Sequence, residues 1–587
     1  MNARQLSMAA GEIAPALYAR VDLLKYATGL KTLLNFWVMR HGGAQNRPGT
    51  QLITEVKDST KTVRLIPFIF NADQTYVLEF GDLYMRVIKA GELLTSGGSP
   101  YELVTPYVEA DLSTLEFVQS SDVLTIVHPS YAPRDLSRTA DTTWSLDVIV
   151  FGPTIGTPTN LASSAVGTAQ YYKVTAVDAR TNEEGLPSAA AGSSGATSTL
   201  TWTAVDGAGL YNIYKLINGT YGFIGVAAAV GTGAAVAVAS IIRSGNYAYV
   251  TTSSPHGYST NDRVNIAGAS PSIYNGVKQI TVTSTTEFNY YVANAPTSPA
   301  TGTITSTLVG GSFTDASYTP DALDAPPEAR TPFDSEGDYP STVTYHQQRL
   351  VFANTVNEPE TVWMSKSGLR KNFMVSTPIQ DDDAVTFQLV DRQVNAVKHM
   401  LTIGKLIIFT SSGEWSIEGD ASGVVTPTAI NPKHYTSNGS GSLAPVEVDG
   451  SALYVQARGA VVRDLNYQWE AQGYRGNEVS IFAAHLFVGH TLVDWAFQQI
   501  PHSVIWAVRD DGVLLGLTYV REHLISGWHR HTVDGIVENV CVVPEGGEDR
   551  LYLVVLRTVN GAVKRYLERM HTRVIDDIQD AVFVDCS

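Results

Sequence analysis

Short apolar runs alternate with turn residues along most of this chain. Residues 63–70, 76–80 and 83–88 are apolar runs separated by Asn71, Asp73 and Gln74 and by Gly81 and Asp82, the spacing of an antiparallel meander. A second unit spans 115–149, with an apolar run at 122–127 and Trp144 near its end. The pattern returns at 341–345, 349–354 and 361–365, then at 396–400, 405–410 and 414–418. It continues at 446–448, 452–456 and 460–463, at 503–508, 512–519 and 527–531, and at 537–543, 550–556 and 564–569. A period of roughly forty to fifty residues with several strands per period is that of β-propeller blades, and it predicts about seven of them.

Two stretches break the pattern. Near the N-terminus, Leu23, Leu24, Leu30, Leu33 and Leu34 recur at mixed helical spacings and predict a short helix, either packed on its own domain, which the spacing alone favours, or part of an arm over residues 1–55 that contacts a neighbouring subunit. From 153 to 311 the composition shifts to Ala, Gly, Ser and Thr, and Pro320, Pro326, Pro327 and Pro332 form a stiff return. The map is therefore an arm at 1–55, first blades at 56–152, two inserted β modules at 153–235 and 236–311, and the remaining blades at 312–587. The Ala/Gly/Val stretch 225–239 reads as a linker or weak strand.

At 587 residues, 44% hydrophobic and 17% charged, the chain supports several cores and is poor in the charge that keeps segments disordered. Its two cysteines, Cys541 and Cys586, provide no disulfide framework. No apolar run reaches the length of a membrane span, and the first ten residues lack the apolar stretch of a signal peptide. A net charge of −17 argues against tight gripping of nucleic acid, though not against a conduit through which it slides.

No phosphate-binding loop, zinc-protease helix, nucleophile elbow or dinucleotide fingerprint occurs, so no catalytic, cofactor-binding or metal residue is assigned and the chain is expected not to be an enzyme. Asp381, Asp382 and Asp383, close to Asp391, read as a solvated loop, with an oxygen-ligand cation site or a glycosidase carboxylate pair as the alternatives. His529 and His531 share a strand face beside Trp528; with His523, Glu522 or Asp534 they could form a zinc set, but aromatic packing is the preferred reading. Trp415, Trp469, Trp495, Trp506 and Trp528 read as blade core, with sugar stacking as the alternative, and His256 as part of a turn.

Several motifs resemble known proteins. Gly11, Glu12, Ile13, Ala14 and Pro15, then Arg20, Val21 and Asp22, Tyr26, Asn35, and the run from Gly42 to Thr50 (Gly-Gly-Ala-Gln-Asn-Arg-Pro-Gly-Thr) resemble the opening of tail nozzle proteins of short-tailed bacteriophages, the tail tubular protein B-like family. The series at 480–487, 494–496, 505–509, 511–519, 527–529 and 566–570 is similar to the same family. In the insertion, Tyr171 and Tyr172, the Glu-Gly-Leu-Pro-Ser loop at 184–188, Trp202 and Tyr211 resemble a fibronectin type III module with an altered strand order. Residues 249–291 resemble small β-barrel repeats of phage tails, related in pattern to a domain of ubiquitin-activating enzymes. The resemblance implies a structural virion protein in the tail: a homohexamer forming the distal genome-ejection channel. Its partners would be portal-adaptor ring proteins, tail fibres or spikes, DNA passing without sequence-specific binding, and the host cell surface. Arg20, Asp22, Arg40 and Arg47 then suit pairing across a subunit boundary, and Leu23, Leu24, Leu30 and Leu34 suit burial by a neighbour. The alternative is a carbohydrate-binding or polysaccharide-degrading tail protein. The fold expected is all-β: a propeller with an inserted small β-sandwich and β-barrel and a short helical arm.

Overall fold

The computed structural model describes residues 5, 7–195, 197–228, 231–232, 235–258, 260, 262–293, 295–391, 394–572, 574–575 and 577–587. They fall into two compact units, one of residues 1–149, 332–364 and 386–587, the other of 150–331 and 365–385.

Among the described residues the first unit is a β-propeller of seven blades, five of them four-stranded, with one further strand on blade 1 and two on blade 6. Blade 1 starts at Arg64–Ile69, blade 2 at Glu116–Ser120, blade 3 at Thr342–His346, blade 4 at Val397–Ile403, blade 5 at Val446–Val448, blade 6 at Leu492–Gln498 and blade 7 at Ile536–Glu545. Most of these leading strands pack on a neighbouring blade's; that of blade 7, for example, lies between those of blades 6 and 1. Antiparallel pairing then runs outward in chain order through four strands in blades 1 to 6. The pairing is tight because strand residues alternate between two buried layers, each shared with a neighbouring blade. Ile66, Leu78, Val87, Leu124 and Leu136 join blades 1 and 2, while Leu453, Val462, Ile505 and Leu517 join blades 5 and 6.

Blade 7 is assembled from both ends of the chain. Its first three strands, Ile536–Glu545, Glu548–Val559 and Ala562–Met570, come from the C-terminus, and its fourth, Thr50–Glu55, pairs antiparallel with Ala562–Met570. Arg557 and Glu568 fasten these strands through a buried bidentate ion pair (2.6 and 2.9 Å). Residues 582–587 fold back on the closing strand: Gly49 donates to Val582 O (2.7 Å), and Ser587 N donates to Thr50 O (2.9 Å). A Cβ at Gly49 would stand 1.9 Å from Val584 O, so this approach admits only glycine.

The expected short N-terminal helix is formed only as two 3-10 turns, at Pro15–Leu17 and Leu24–Thr28. The second is followed by the extended pair Gly29–Leu30 and the strand Phe36–Val38. The backbone groups a helix would have used are taken by blade 6 instead, since Asn35 N donates to Arg530 O (2.9 Å) and Arg530 N to Leu33 O (3.1 Å).

In the second unit, one sheet (Ala191–Ser193, Val166–Asp178, Ala208–Ile217, Thr220–Ala228) shares a core of Tyr172, Trp202, Tyr211 and Ile213 with Thr159–Ser163, Thr197–Thr203 and the end of Thr305–Ala316. The start of Thr305–Ala316 pairs with Arg263–Ala267 and Val236–Ser244, members of a second, barrel-like module that continues through Tyr247–Thr252 and Glu287–Tyr291. One long strand thus serves both modules. Of the 225–239 stretch, Thr220–Ala228 and Val236–Ser244 are strands rather than linker, and residues 229–230 and 233–234 lie outside the described residues.

Candidate functional site

The segment carrying the family-like N-terminal motif forms a seam along blades 6 and 7. Gly11 sits beside Trp528 in a parallel bridge, and Gly29–Leu30 pairs with Gly11–Glu12, which widens blade 6 by two short strands. Gly11 has φ +66, and a Cβ there would lie 2.4 Å from Trp528 O, so the seam requires glycine. Glu12 is buried, and its carboxylate accepts from Leu33 N (2.7 Å), His485 Nε2 (3.0 Å) and Arg530 Nε (3.2 Å). A buried carboxylate needs this many donors to offset its lost hydration. Trp37 fills the space between blades 6 and 7 with Trp506, Val508 and Val540, and Thr518 Oγ1 donates to Val38 O (2.6 Å).

The residues expected to serve a partner divide accordingly. Arg47 is buried and grips Asp585 with two hydrogen bonds (2.8 and 2.7 Å), so it is spent within the subunit. Arg20 and Asp22 pair with each other on the surface (2.8 and 2.6 Å), and Arg40 is exposed. Leu33, Trp37 and Val38 are buried by the chain's own blades, and Leu23 and Leu30 are half-buried. Leu24 is 94% and Val21 81% exposed, and Leu34 is also exposed. The single stripe expected of a helix is therefore replaced by an anchored strip and an exposed excursion at 15–28.

The acidic residues 381–383 differ in burial. Asp383 is buried, 2.6 Å from Lys366 Nζ, and accepts from Ser376 N (2.9 Å), Ser376 Oγ (2.8 Å) and Gln380 N (2.8 Å). Those donors outweigh desolvation and hold its carboxyl below the usual range. Asp381 and Asp382 are exposed, and Asp391 belongs to the other unit. His256 stacks on Tyr258 (4.7 Å), accepts from Tyr258 N (2.9 Å) and reaches Ser284 O (3.1 Å), a structural role.

His529 and His531 share a strand face as expected, but they pack on Trp506 (6.0 and 5.1 Å), because Trp528 points to the opposite face and packs on Phe487. Thr518 Oγ1 gives its proton to Val38 O, so His529 Nε2 donates to Thr518 (3.3 Å), and His531 Nε2 donates to His529 Nδ1 (2.7 Å). Both rings are then neutral, and burial lowers His529 to about 3 and His531 well below the ordinary value. Gly516 opposes His529, and a Cβ there would lie 2.0 Å from its ring. His523 and Glu522 lie on an exposed 3-10 turn, and Asp534 is also exposed. Trp415, Trp495, Trp506 and Trp528 are buried, whereas Trp469 is 77% exposed.

A pH effect follows. Below pH 6.5 the unfolded chain protonates these histidines while the folded one refuses them, so stability falls with pH by up to about 1.4 kcal/mol per unit and histidine. Asp494, raised to about 6 by burial, acts in the opposite sense. Urea midpoints of the protein and of His529→Gln between pH 7 and 4.5 isolate the term. The variant should be less stable at pH 7 and show a shallower loss. Parallel curves would refute a neutral His529.

One feature was not visible in the sequence. A cleft of about 670 Å³ opens beside blade 5, lined by Leu443, Val455, Ala460, Phe487, Glu478 and His490. His490 Nδ1 lies 2.9 Å from Asp510 Oδ1, and Asp510 also accepts from Thr491 N and Oγ1 (3.1 Å each). Asp511 is held by Arg509, whose Nε donates at 2.9 Å. Among the described residues these three groups bring metal-capable atoms within 4.8 Å, but donors from the chain already engage both carboxylates and hold both carboxyls low. The cleft can accept an apolar group beside a histidine–aspartate pair. His490 and Asp510 are twenty residues apart on separate loops, and only the Asp-Asp-Gly turn at 510–512 hinted at one half.

No protein-family model matches the sequence, and no curated protein matches it. Among solved structures, the chain is similar to BamB from Moraxella catarrhalis (9% identity, 79% of this chain and 96% of that one, TM-score 0.24). It is also similar to a protein from Lactobacillus plantarum (9%, 71% and 97%, 0.25) and to AztD from Citrobacter koseri (9%, 70% and 100%, 0.24). At these scores the likenesses carry no functional argument, and the propeller rests on its own sheet topology.

Proposed function

We propose that this chain is a structural subunit of the tail nozzle of a short-tailed bacteriophage, assembled as a homohexameric ring around the distal DNA-ejection channel. The observation that carries the reading is the excursion at 15–28. It lies inside the stretch that resembles the nozzle family, is bounded on both sides by strands fixed to blade 6, and exposes Val21 and Leu24. Exposed apolar side chains on an anchored loop suit burial by an identical neighbour. The net charge of −17 suits a channel wall that does not retain phosphates. Docking to an adaptor ring above, and to fibres or spikes beside it, belongs to the same proposal.

Native mass and electron micrographs of the purified protein test it. Rings of about six 63.3 kDa copies are expected. Replacing residues 16–27 by a Gly/Ser linker should leave the melt within a few degrees and dissolve the rings, because those residues contribute little to the subunit's own core. A monomer at all concentrations, in the absence and presence of virion tails, would sink the proposal.

A further inference from the structure

The barrel-like module turns an unusual face outward. In Val236–Ser244, Tyr247–Thr252 and Glu287–Tyr291, one set of alternating residues (Ile241, Ala248, Val250, Phe288, Tyr290) is buried in the module's core. The opposite set is aligned by the register: Ser244 opposes Tyr247, which opposes Tyr291, and Ile242 opposes Tyr249, which opposes Asn289. Tyr247, Tyr249 and Tyr291 are 48%, 47% and 60% exposed, and the Tyr247 and Tyr291 rings lie 6.0 Å apart. The Tyr247 and Tyr291 rings meet edge to face (86°), so with Tyr249 the three half-exposed rings form an angled platform on adjacent positions of one sheet.

We propose that this platform binds a neutral polysaccharide, with sugar rings stacked on Tyr247, Tyr249 and Tyr291. The surrounding chemistry selects that occupant. The next positions on the face are Ser240, Thr251, Asn289 and Glu287, which supply hydroxyl, amide and a single carboxylate for sugar hydroxyls. No lysine or arginine belongs to this set. Arg243 belongs to the other set, and its guanidinium folds back onto Pro296 O (3.2 Å) and Gly245 O (2.7 Å). A nucleic acid or an acidic glycan would demand free cations here. A protein partner would demand an apolar centre, and Ile242 is the one aliphatic side chain among the described positions of the face. Tyrosines offer an apolar ring face and a polar rim together, as stacked sugars require. The inference does not rest on ring assembly, since a monomer would present the same face.

Affinity electrophoresis of the full chain through gels containing dextran, galactomannan or xyloglucan, with alginate as the anionic control, provides the test. The protein should be retarded by at least one neutral polymer and not by alginate. Tyr249→Ala should weaken binding about tenfold, as expected for losing one buried ring face, with an unchanged melt. Tyr249→Thr, better suited to a strand, substitutes if the alanine variant melts low, and Tyr249→Phe should bind nearly normally. Replacing all three tyrosines should abolish retardation. Free migration in every neutral gel overturns the proposal, as does retardation that the tyrosine variants do not change or that alginate matches. A native mass that drops on replacing the tyrosines would assign the face to a second copy of this chain and would also overturn it.

Discussion

Deleting residues 1–55 is expected to abolish cooperative melting of the propeller, not merely its assembly. The deletion removes the strand Thr50–Glu55, and the edge of Ala562–Met570 is left with unpaired backbone groups. It also strips Glu568 of Thr50, a buried partner. It takes away Trp37, Val38 and Leu33, which are buried against blades 6 and 7, and replacing Trp37 alone by Ala should cost about 3–5 kcal/mol. Losses of that size approach the whole stability of a typical domain. Differential scanning calorimetry of the truncated chain and of Trp37→Ala distinguishes this from a detachable arm. A truncated protein with a sharp, nearly unchanged melt would show that the seam contributes nothing to the propeller.

The pattern of apolar runs made most of the propeller readable, and its failures have physical causes. The second strands of the blades are largely buried on both faces, and runs such as Lys405–Thr410 and Val504–Arg509 stand out from their turns. The outermost strands Asn431–Thr436 and Gly473–Glu478 have one solvated edge and carry Asn, Pro, Lys, Arg and Glu, so no apolar period marks them. Thr50–Glu55 was hidden for another reason. Its partner lies more than five hundred residues away, and nothing local announces a strand that closes a ring. The leucines at 23–34 show the reverse error. Their spacing fits a helix, yet blade 6 offers carbonyls and amides in extended register, and tertiary pairing overrides the local preference. Side-chain chemistry was less legible. The shared face of His529 and His531 followed from their two-residue spacing, but they pack on Trp506 rather than Trp528, and the proton order between them depends on Thr518 and Val38, from different parts of the chain. The cleft at His490 depends on residues from 441–443, 455–461 and 478–492 meeting and has no sequence period at all.

Removing the inserted modules is expected to succeed only when a second, short excursion is removed with them. Residues 365–385 leave blade 3 between its strands Thr361–Met364 and Val385–Gln388 and belong to the inserted unit. They are bound there by Gly152 N donating to Lys371 O (2.8 Å), Asn372 Nδ2 donating to Glu183 Oε1 (2.7 Å) and the edge-to-face contact of Phe151 with Phe373 (5.5 Å). Phe373, Met374 and Asn372 are all buried. Deleting 150–331 alone strands these groups: the amide loses its carboxylate, and two large apolar side chains meet water, at roughly 1.5–3 kcal/mol each. Such a product should express poorly or aggregate. Deleting 150–331 and replacing 366–383 by a tight turn removes the exposed remnant together with the unit that covered it. The seven blades then keep their mutual contacts, because the modules depart after the outermost strand of blade 2, Thr143–Val148, and return before the leading strand of blade 3, Thr342–His346. Circular dichroism and analytical ultracentrifugation of the two products decide the matter. The double deletion should be monodisperse and β-rich while the single deletion is not; equal behaviour of the two would show that residues 365–385 fold without the inserted modules.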